Sequence, residues 1–464
     1  MKPIDPQEWK QDLPAFREKT AAFYKGELKK NDYKGFSGLY GSYAQKDGKA
    51  SMLRLRMTAG AVSREKVCFI AKMIREYQVK RMHFTTCQSI QLHDLNETAV
   101  CEIMEKALDA GIVTMGGGGD FPRNIMCSPL AGVEKGEYFN VQPYAKAAGD
   151  YLMHFIKAEK MPRKLKVGFS SSPANLTHAT YRDLGFAARE DGKFDVYSAG
   201  GLGNNPRFGV KVAEAVEPDD ILFYIRAMWL TFRTYGNYEN RGKARTRYMQ
   251  ESLGSPEKYK EAFQEKLKEV CASGEDLKLK DLKEASAENS MKTGDETVFT
   301  GSNAIEQKQE GLYALAWHPI GGMPDPAVFC ELADAMEEIE GVELRLAPYE
   351  TAYIINLTGA EAERLNAIIQ KDMAQSLFET SVSCIGASVK VDGKLESGFV
   401  LYINGCERQG EETMGHEAGT MAEADIPEFL VALGKAVAES GEDFNTWNEK
   451  HPGGIEAVAA LYLR

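Results

Sequence analysis

"RLRMTAGAVSREKVCFIAKMIREYQVKRMHFTTCQSIQLHDLNE", residues 54–97, lies over "AWHPIGGMPDPAVFCELADAMEEIEGVELRLAPYETAYIINLTG", residues 316–359, at a constant offset of 262 and without a gap. Gly60 falls on Gly322, Cys68 on Cys330 and Leu95 on Leu357. A repeat of this size sets the architecture before any local reading does. Each copy reads as a strand, a Gly turn, a helix with apolar positions three and four apart, two short strands and a second helix. That is a β-α-β-β-α unit of ferredoxin-like type, present twice. A chance alignment is the alternative, because identities are few.

Working outward, the expected organisation is a first ferredoxin-like half-domain with an N-terminal extension at 1–110 and an α/β domain rich in Gly, Arg and aromatics at 111–270. A charged linker follows at 271–310, then the second half-domain at 311–379 and a second α/β domain at 380–464, much shorter than its counterpart. The fold class is α+β: two half-domains related by a pseudo-twofold, plus two mixed α/β domains, the second shortened.

With 464 residues, 43% of them hydrophobic, the chain is long enough for several domains with a large core. A net charge of −12 excludes a nucleic-acid partner that relies on global positive charge. No apolar run reaches the length of a membrane helix, and the start "MKPIDPQEWKQDL" lacks the apolar stretch of a signal peptide, so a cytoplasmic location is expected. The eight cysteines include no C-x-x-C pair, which argues against a disulfide framework or a ready-made metal site.

Cations beside glycines carry the chemistry. In "MLRLRM" strand alternation puts Arg54 and Arg56 on one face and Leu53, Leu55 and Met57 on the other. In the second copy the two arginines become Ala316 and His318, so the first copy reads as functional and the second as structural; a solvated strand face is the plainer reading. In "TMGGGGDFPRN" (114–124) consecutive glycines permit close backbone approach and exposed N–H groups that suit anions, and Arg123 adds a charged fork. A flexible turn is the alternative, and the stretch fits no phosphate-loop or dinucleotide pattern. In "MPRKLKVGFSSS" (161–172) Lys164 and Lys166 share a face opposite Leu165 and Val167; partly buried, they would depress each other's pKa and suit proton donation to a bound anion. Solvated lysines are the bland reading. "YSAGGLGNNPRFG" and "NRGKARTRYM" extend the theme, and together these stretches suit a polyanionic cofactor or a small oxyanion.

The combination of "MLRLRM", "HFTTCQSIQLHDL", "GGGGDFPRNIMCSPLAG", "PRKLK", "DLGFAARE", "AGGLG" and "SCIGAS", in order along nearly the whole chain, resembles the nitrite and sulfite reductase family of sirohaem and [4Fe–4S] enzymes. The resemblance implies multi-electron reduction of nitrite to ammonia or of sulfite to sulfide, with a ferredoxin-like protein as electron donor. It makes Arg54, Arg123, Lys164 and Lys166 the anion-binding and proton-supplying residues. It places Thr85, Gln88, Gln91, His93 and Arg163 near the tetrapyrrole, with Arg56, Lys243 and Arg245 as looser candidates for its carboxylates.

Two departures stand out. The family commonly has Arg before the Gln of "TTCQ", where this chain has Cys87. The family's cluster uses a C-x5-C pair and later a C-x3-C pair; Cys384 matches the first thiolate, Lys390 stands in place of the second, and the segment with the other pair is absent. "NGCERQ" with Cys406 resembles what normally follows that segment. One thiolate does not hold a four-iron cluster, so beside the reductase stand two alternatives: a cluster-free tetrapyrrole-binding homologue without turnover, and a shortened inactive variant.

Overall fold

The computed structural model describes residues 4–157, 161–203, 205–280, 282, 292–374, 387–391 and 394–463. They belong to two compact units, Met1–Gln375 and Ser376–Arg464.

In the first unit the duplication is visible element by element. The strand Ser51–Arg56 runs into a turn Thr58–Gly60, the helix Arg64–Tyr77, strands Met82–Phe84 and Ser89–Leu95, and the helix Glu97–Asp109. The strand Tyr313–Trp317, turn Ile320–Gly322, helix Pro326–Glu337, strands Glu343–Leu346 and Ala352–Leu357 and helix Gly359–Ile369 repeat the series. The backbone repeats as well. Left-handed φ recurs at Ala59 and Gly321 (58° and 61°), Gly60 and Gly322 (72° and 67°), Gln88 and Glu350 (51° and 64°) and Asp94 and Asn356 (58° and 64°). Such conformations are uncommon outside glycine, so four coincidences at one offset exclude a chance alignment.

Two sheets result. One runs Ser42–Ala44, Ser51–Arg56, Ser89–Leu95, Met82–Phe84, all antiparallel. The other runs Ala304–Glu306, Tyr313–Trp317, Ala352–Leu357, Glu343–Leu346 and ends on Ala61–Ser63, a strand contributed by the first copy. Inward residues of both copies share one core, with Leu53, Leu55, Phe84 and Ile90 beside Leu315, Trp317, Leu344 and Ile354. The helices Arg64–Tyr77 and Pro326–Glu337 pack against each other across the pseudo-twofold. There Cys68 Sγ points at Ala333 O (3.9 Å) and Cys330 Sγ at Ala71 O (3.6 Å), the same contact made twice.

Gly60 shows why the turn is invariant between copies. A Cβ there would lie 2.6 Å from Gln88 Nε2 and 2.8 Å from Leu346 O, and one on Gly322 would lie 2.6 Å from Glu350 Cβ, the equivalent neighbour. Gly60→Ala adds left-handed strain to that overlap, so a loss of about 2–4 kcal/mol is expected in urea unfolding.

The stretch expected to be a linker is partly built into the fold. Leu277, Leu279 and Leu282 pack on the middle domain's core, and Lys292 Nζ donates to Glu340 O (3.0 Å), Asn356 O (2.9 Å) and Glu361 (2.6 Å). Its last residues form the edge strand Ala304–Glu306. Charged residues mark this stretch as surface, and surface strands and clasps share that composition.

The middle domain is a mixed five-stranded sheet. Met126–Cys127, Val167–Ser170 and Leu184–Ala188 are parallel neighbours; Phe194–Ser198 and Val210–Val216 continue antiparallel. Helices Gln142–Met153, Ile221–Tyr235 and Pro256–Ala272 contribute to its core around Phe169, Phe186 and Phe194.

The second unit is an antiparallel meander, Ala387–Val391, Lys394–Ile403, His416–Ala422, then a short turn Glu423–Asp425 and the helix Ile426–Ser440. The middle domain contains this series as Leu184–Ala188, Phe194–Ser198, Val210–Val216, Pro218–Asp220 and Ile221–Tyr235. Both helices have 15 residues and start 205 residues apart, at Ile221 and Ile426, so the offset has fallen from 262 by 57. The middle domain's Met126–Cys127, Gln142–Met153 and Val167–Ser170 have no counterpart among the described residues of the second unit. An antiparallel meander closes its own hydrogen-bond ladder, which a parallel strand pair does not.

Candidate anion and cofactor site

The site grows from the face of the first sheet that points away from the core. Arg54 pairs with Gln91 across the ladder and Arg56 with Ser89. Gln91 is best oriented with its carbonyl oxygen accepting from Arg54, at 3.1 Å from Nε, and its nitrogen donating to His93 Nε2 (3.1 Å). Burial, with Arg81 and His83 nearby, pushes His93 down to about 4, so it stays neutral and accepts. Arg56 goes deeper and spends its donors on Met115 O (3.4 Å), Pro122 O (3.0 Å) and Arg123 O (3.1 Å). Burial first, then Arg123, bring Arg56 down to about 9. It braces the site from behind.

The four-glycine loop works differently from the sequence expectation. Its amides are used locally: Gly116 N–H donates to Leu39 O, Gly117 N–H to Thr114 O and Gly119 N–H to the Tyr43 hydroxyl. Its carbonyls face the cations: Arg54 and Arg123 both donate to Gly117 O, and Arg123 Nη2 donates to Gly119 O (2.8 Å). The loop is therefore an arginine holder. A Cβ at Gly118 would meet the Tyr43 hydroxyl at 2.5 Å, so close packing is what demands glycine there.

The lysines enter from the middle domain. Leu165 and Val167 are buried in its core, which turns Lys164 and Lys166 the other way; the strand itself starts only at Val167. Burial, then Lys166, Arg245 and Arg123, bring Lys164 down to about 8. Lys166 is held up mainly by the charge of Cys87, yet burial with Arg182 and Arg245 leaves it below an ordinary lysine. Asp183, fully buried, ties this side together, accepting from Lys166 N–H (2.8 Å), from Arg245 Nη2 (3.0 Å to each oxygen) and from Thr246 Oγ1.

Arg54, Arg123, Lys164 and Lys166, drawn from three separate stretches, thus surround one place, with Gln91, His93 and Arg245 beside it. Arg163 stands at its rim, paired at 2.9 Å with Asp120, which also holds Arg241 (2.6 Å). Lys243 is exposed in the adjoining turn. Thr85 and Gln88 do other work. Thr85 Oγ1 accepts from Cys87 N–H and Ser89 N–H and closes the turn. Gln88 is fully buried, donating to Cys127 O (2.8 Å) and Leu346 O and accepting from Cys127 N–H (2.8 Å). It clamps backbone and does not face the anion site. Cys384 lies outside the described residues.

Sequence reasoning passed over Asp183, Arg182 and Tyr43. The one available signal was "YRDLGF": a charged pair leading straight into an apolar strand has to be partnered. The second copy supplies the control. Arg54, Thr85, Gln91 and His93 correspond to Ala316, Ala347, Tyr353 and Ile355, which form an apolar cluster covered by Leu130 and Val133. One copy of the face gathers cations and the other packs.

The residues present fit a polycarboxylate tetrapyrrole. The Nε groups of Arg123 and Arg245 are buried with no hydrogen-bond partner, donors that an anionic group would satisfy. Among the described residues no three His, Cys, Asp or Glu side chains gather as metal ligands, and Cys384 lies outside those residues.

Comparison with known proteins agrees with this geometry. Residues 43–110 match the nitrite/sulfite reductase ferredoxin-like half domain, and residues 118–270 the nitrite and sulphite reductase 4Fe-4S domain. Sulfite reductase [ferredoxin] 1 of Mycolicibacterium paratuberculosis is 23% identical over 393 residues, covering 78% of this chain and 67% of that protein. The assimilatory ferredoxin-dependent nitrite reductase of Haloferax mediterranei is 24% identical over 78% of this chain and 66% of its own length. For the chloroplastic ferredoxin–nitrite reductase of Zea mays the figures are 26%, 70% and 56%. The chain therefore matches between about half and two thirds of the length of these relatives. The Mycobacterium tuberculosis NirA structure superposes with a TM-score of 0.74 over 98% of both chains at 18% identity, a likeness of fold.

Proposed function

This chain belongs to the nitrite and sulfite reductase family, and from that premise we propose that it binds sirohaem and reduces nitrite or sulfite with electrons from a ferredoxin-like protein. The observation that carries the reading is the convergence of Arg54, Arg123, Lys164 and Lys166 on one place from a strand, a glycine loop and a second domain. Bound sirohaem supplies the redox chemistry at its iron. The chain's part is electrostatic. Arg54 and Arg123, oriented in advance by Gly117 O and Gly119 O, offer fixed positive charge to an oxyanion, and preorganised donors of this kind cost no rearrangement when charge develops. Lys164, held near pH 8, is matched to give up a proton at working pH, and Lys166 stands behind it. Arg245, Arg163 and Lys243 suit cofactor carboxylates.

A second reading, a tetrapyrrole-binding homologue without turnover, is favoured by the lack of a strand-helix-strand portion among the described residues of the second unit. One preparation separates them. The chain made with sirohaem supply is expected to show sirohaem absorption bands and to reduce nitrite or sulfite with a chemical electron donor; its iron and acid-labile sulfide content then reports on the cluster. Bands without reduction would select the second reading, and their absence would sink both.

The pH response follows from Lys164. Its lowered pKa leaves it protonated below about 8 and neutral above, so oxyanion affinity is expected to fall as pH rises through about 8. In Lys164→Arg the guanidinium stays charged and that limb disappears from nitrite- or sulfite-binding titrations followed calorimetrically.

A further inference from the structure

A cavity of about 290 Å³ opens in the first unit where the two copies, the N-terminal segment and the middle domain's helix Gln142–Met153 meet. Of the residues placed at the anion site only Arg56 reaches its wall, and that guanidinium is committed to the carbonyls of Met115, Pro122 and Arg123. The other charged lining comes from three elements. Lys66 stands in the first turn of the helix Arg64–Tyr77, Lys146, Asp150 and Met153 follow one face of Gln142–Met153, and Glu343 opens the strand Glu343–Leu346.

Glu343 is already paired, with Arg345 at 2.7 Å. Among the described residues the side chains of Lys66, Lys146 and Asp150 make no hydrogen bond or ion pair, with one another or with anything else. Lys146 and Asp150 are a helical turn apart, but in the order, base before acid, that pairs less well. Elsewhere in this unit half-buried lysines are matched: Lys292 with Glu361 (2.6 Å), Lys308 with Glu137 (2.7 Å) and Lys211 with Asp195 (3.0 Å). Lys66 and Asp150 are half-buried too, and Lys146 is exposed. Charge held in a partly closed space without a partner is costly, and the strain shows on both signs. Burial, then Lys146, keeps Lys66 below an ordinary lysine, and burial lifts Asp150 above an ordinary carboxyl. Two ammonium groups and one carboxylate thus line one space unmatched. A plain anion would meet the lysines but set its charge against Asp150, and a plain cation would be repelled by both lysines. The complement of this set carries two negative groups and one positive group on a small body.

We infer that this cavity is a binding site for an amino dicarboxylate, whose two carboxylates are taken by Lys66 and Lys146 and whose ammonium is taken by Asp150. Aspartate and glutamate are the simplest members of the class. The site lies apart from Arg54, Arg123, Lys164 and Lys166, needs no sirohaem and goes beyond the reductase reading.

The full chain as isolated is titrated calorimetrically with L-glutamate and L-aspartate, and with glutarate and succinate, which lack the amino group. Saturable binding of an amino acid is expected, about tenfold or more tighter than that of its counterpart without nitrogen, the weight of one hydrogen bond to a charged group. Lys66→Met should weaken the amino acid by about tenfold or more on the same ground. Asp150→Asn should weaken glutamate and strengthen glutarate until the two bind alike, a change of selectivity that a merely structural role would not produce. Arg123→Ala, in the anion site, should leave glutamate binding unchanged, which keeps this result separate from the fate of the reductase reading. No saturable binding of either amino acid at millimolar concentration, equal binding of glutamate and glutarate by the wild-type chain, or binding that survives Lys66→Met and is lost in Arg123→Ala would overturn the assignment. The wild-type comparison decides this even if a substitution disturbs folding.

Discussion

Arg123→Ala is expected to lower kcat/KM for nitrite or sulfite about a hundredfold or more, measured with a chemical electron donor on sirohaem-loaded protein. Removing one preorganised donor from an oxyanion site costs a factor of about 10² to 10³, and Arg123 does more than donate. Its two Nη groups engage Gly117 O and Gly119 O, and its backbone carbonyl receives Arg56 Nη2. Without the side chain the loop loses the clamp that also orients Arg54. Arg123→Lys restores a charge but not the fork, so it is expected to recover only part of the rate. A loss under tenfold in Arg123→Ala would remove this residue from the anion site. An unchanged unfolding midpoint would locate the loss in the site and not in the fold.

The second large effect is on stability. Asp183→Ala is expected to cost about 3–5 kcal/mol in urea unfolding, the range for stripping one partner from a buried ion pair. The carboxylate has 1% exposure and binds Arg245, Thr246 Oγ1 and the Lys166 amide at once, so its removal strands a half-buried guanidinium and a backbone N–H. Asp183→Asn keeps an acceptor in the same space and should cost clearly less. Equal destabilisation by the two would mean that packing, not charge, accounts for the residue.

Much of the architecture was readable in the sequence because the duplication is ungapped from the first strand to the second helix: Gly60 over Gly322 and Leu95 over Leu357 sit on matching turns and strands. The cationic face was readable too, since alternation decides which way Arg54 points. It does not decide how far in a side chain goes, so Arg56, two residues on, proved to be a brace bonded to three carbonyls. Gln88 was misplaced for a related reason. A polar residue beside a cofactor motif and one that clamps backbone are alike in a string of letters, and here burial comes from strands 39 and 258 residues away. The carbonyl-forward glycine loop was likewise hidden, because glycine spacing says that backbone comes close and not which end of the peptide does. The shortfall in the second unit was visible as missing length; that its described strands form a meander, with no parallel pair among them, needed the strand order.

The strand Ala61–Ser63 belongs to one copy by descent and to the other by hydrogen bonding. The corresponding residues in the second copy are Met323, Pro324 and Asp325. Pro324 has no amide hydrogen to offer a neighbouring ladder, so the loan runs one way. The halves are therefore not separable goods: severed between them, the chain would yield one fragment lacking its border strand and another carrying that strand as a loose end.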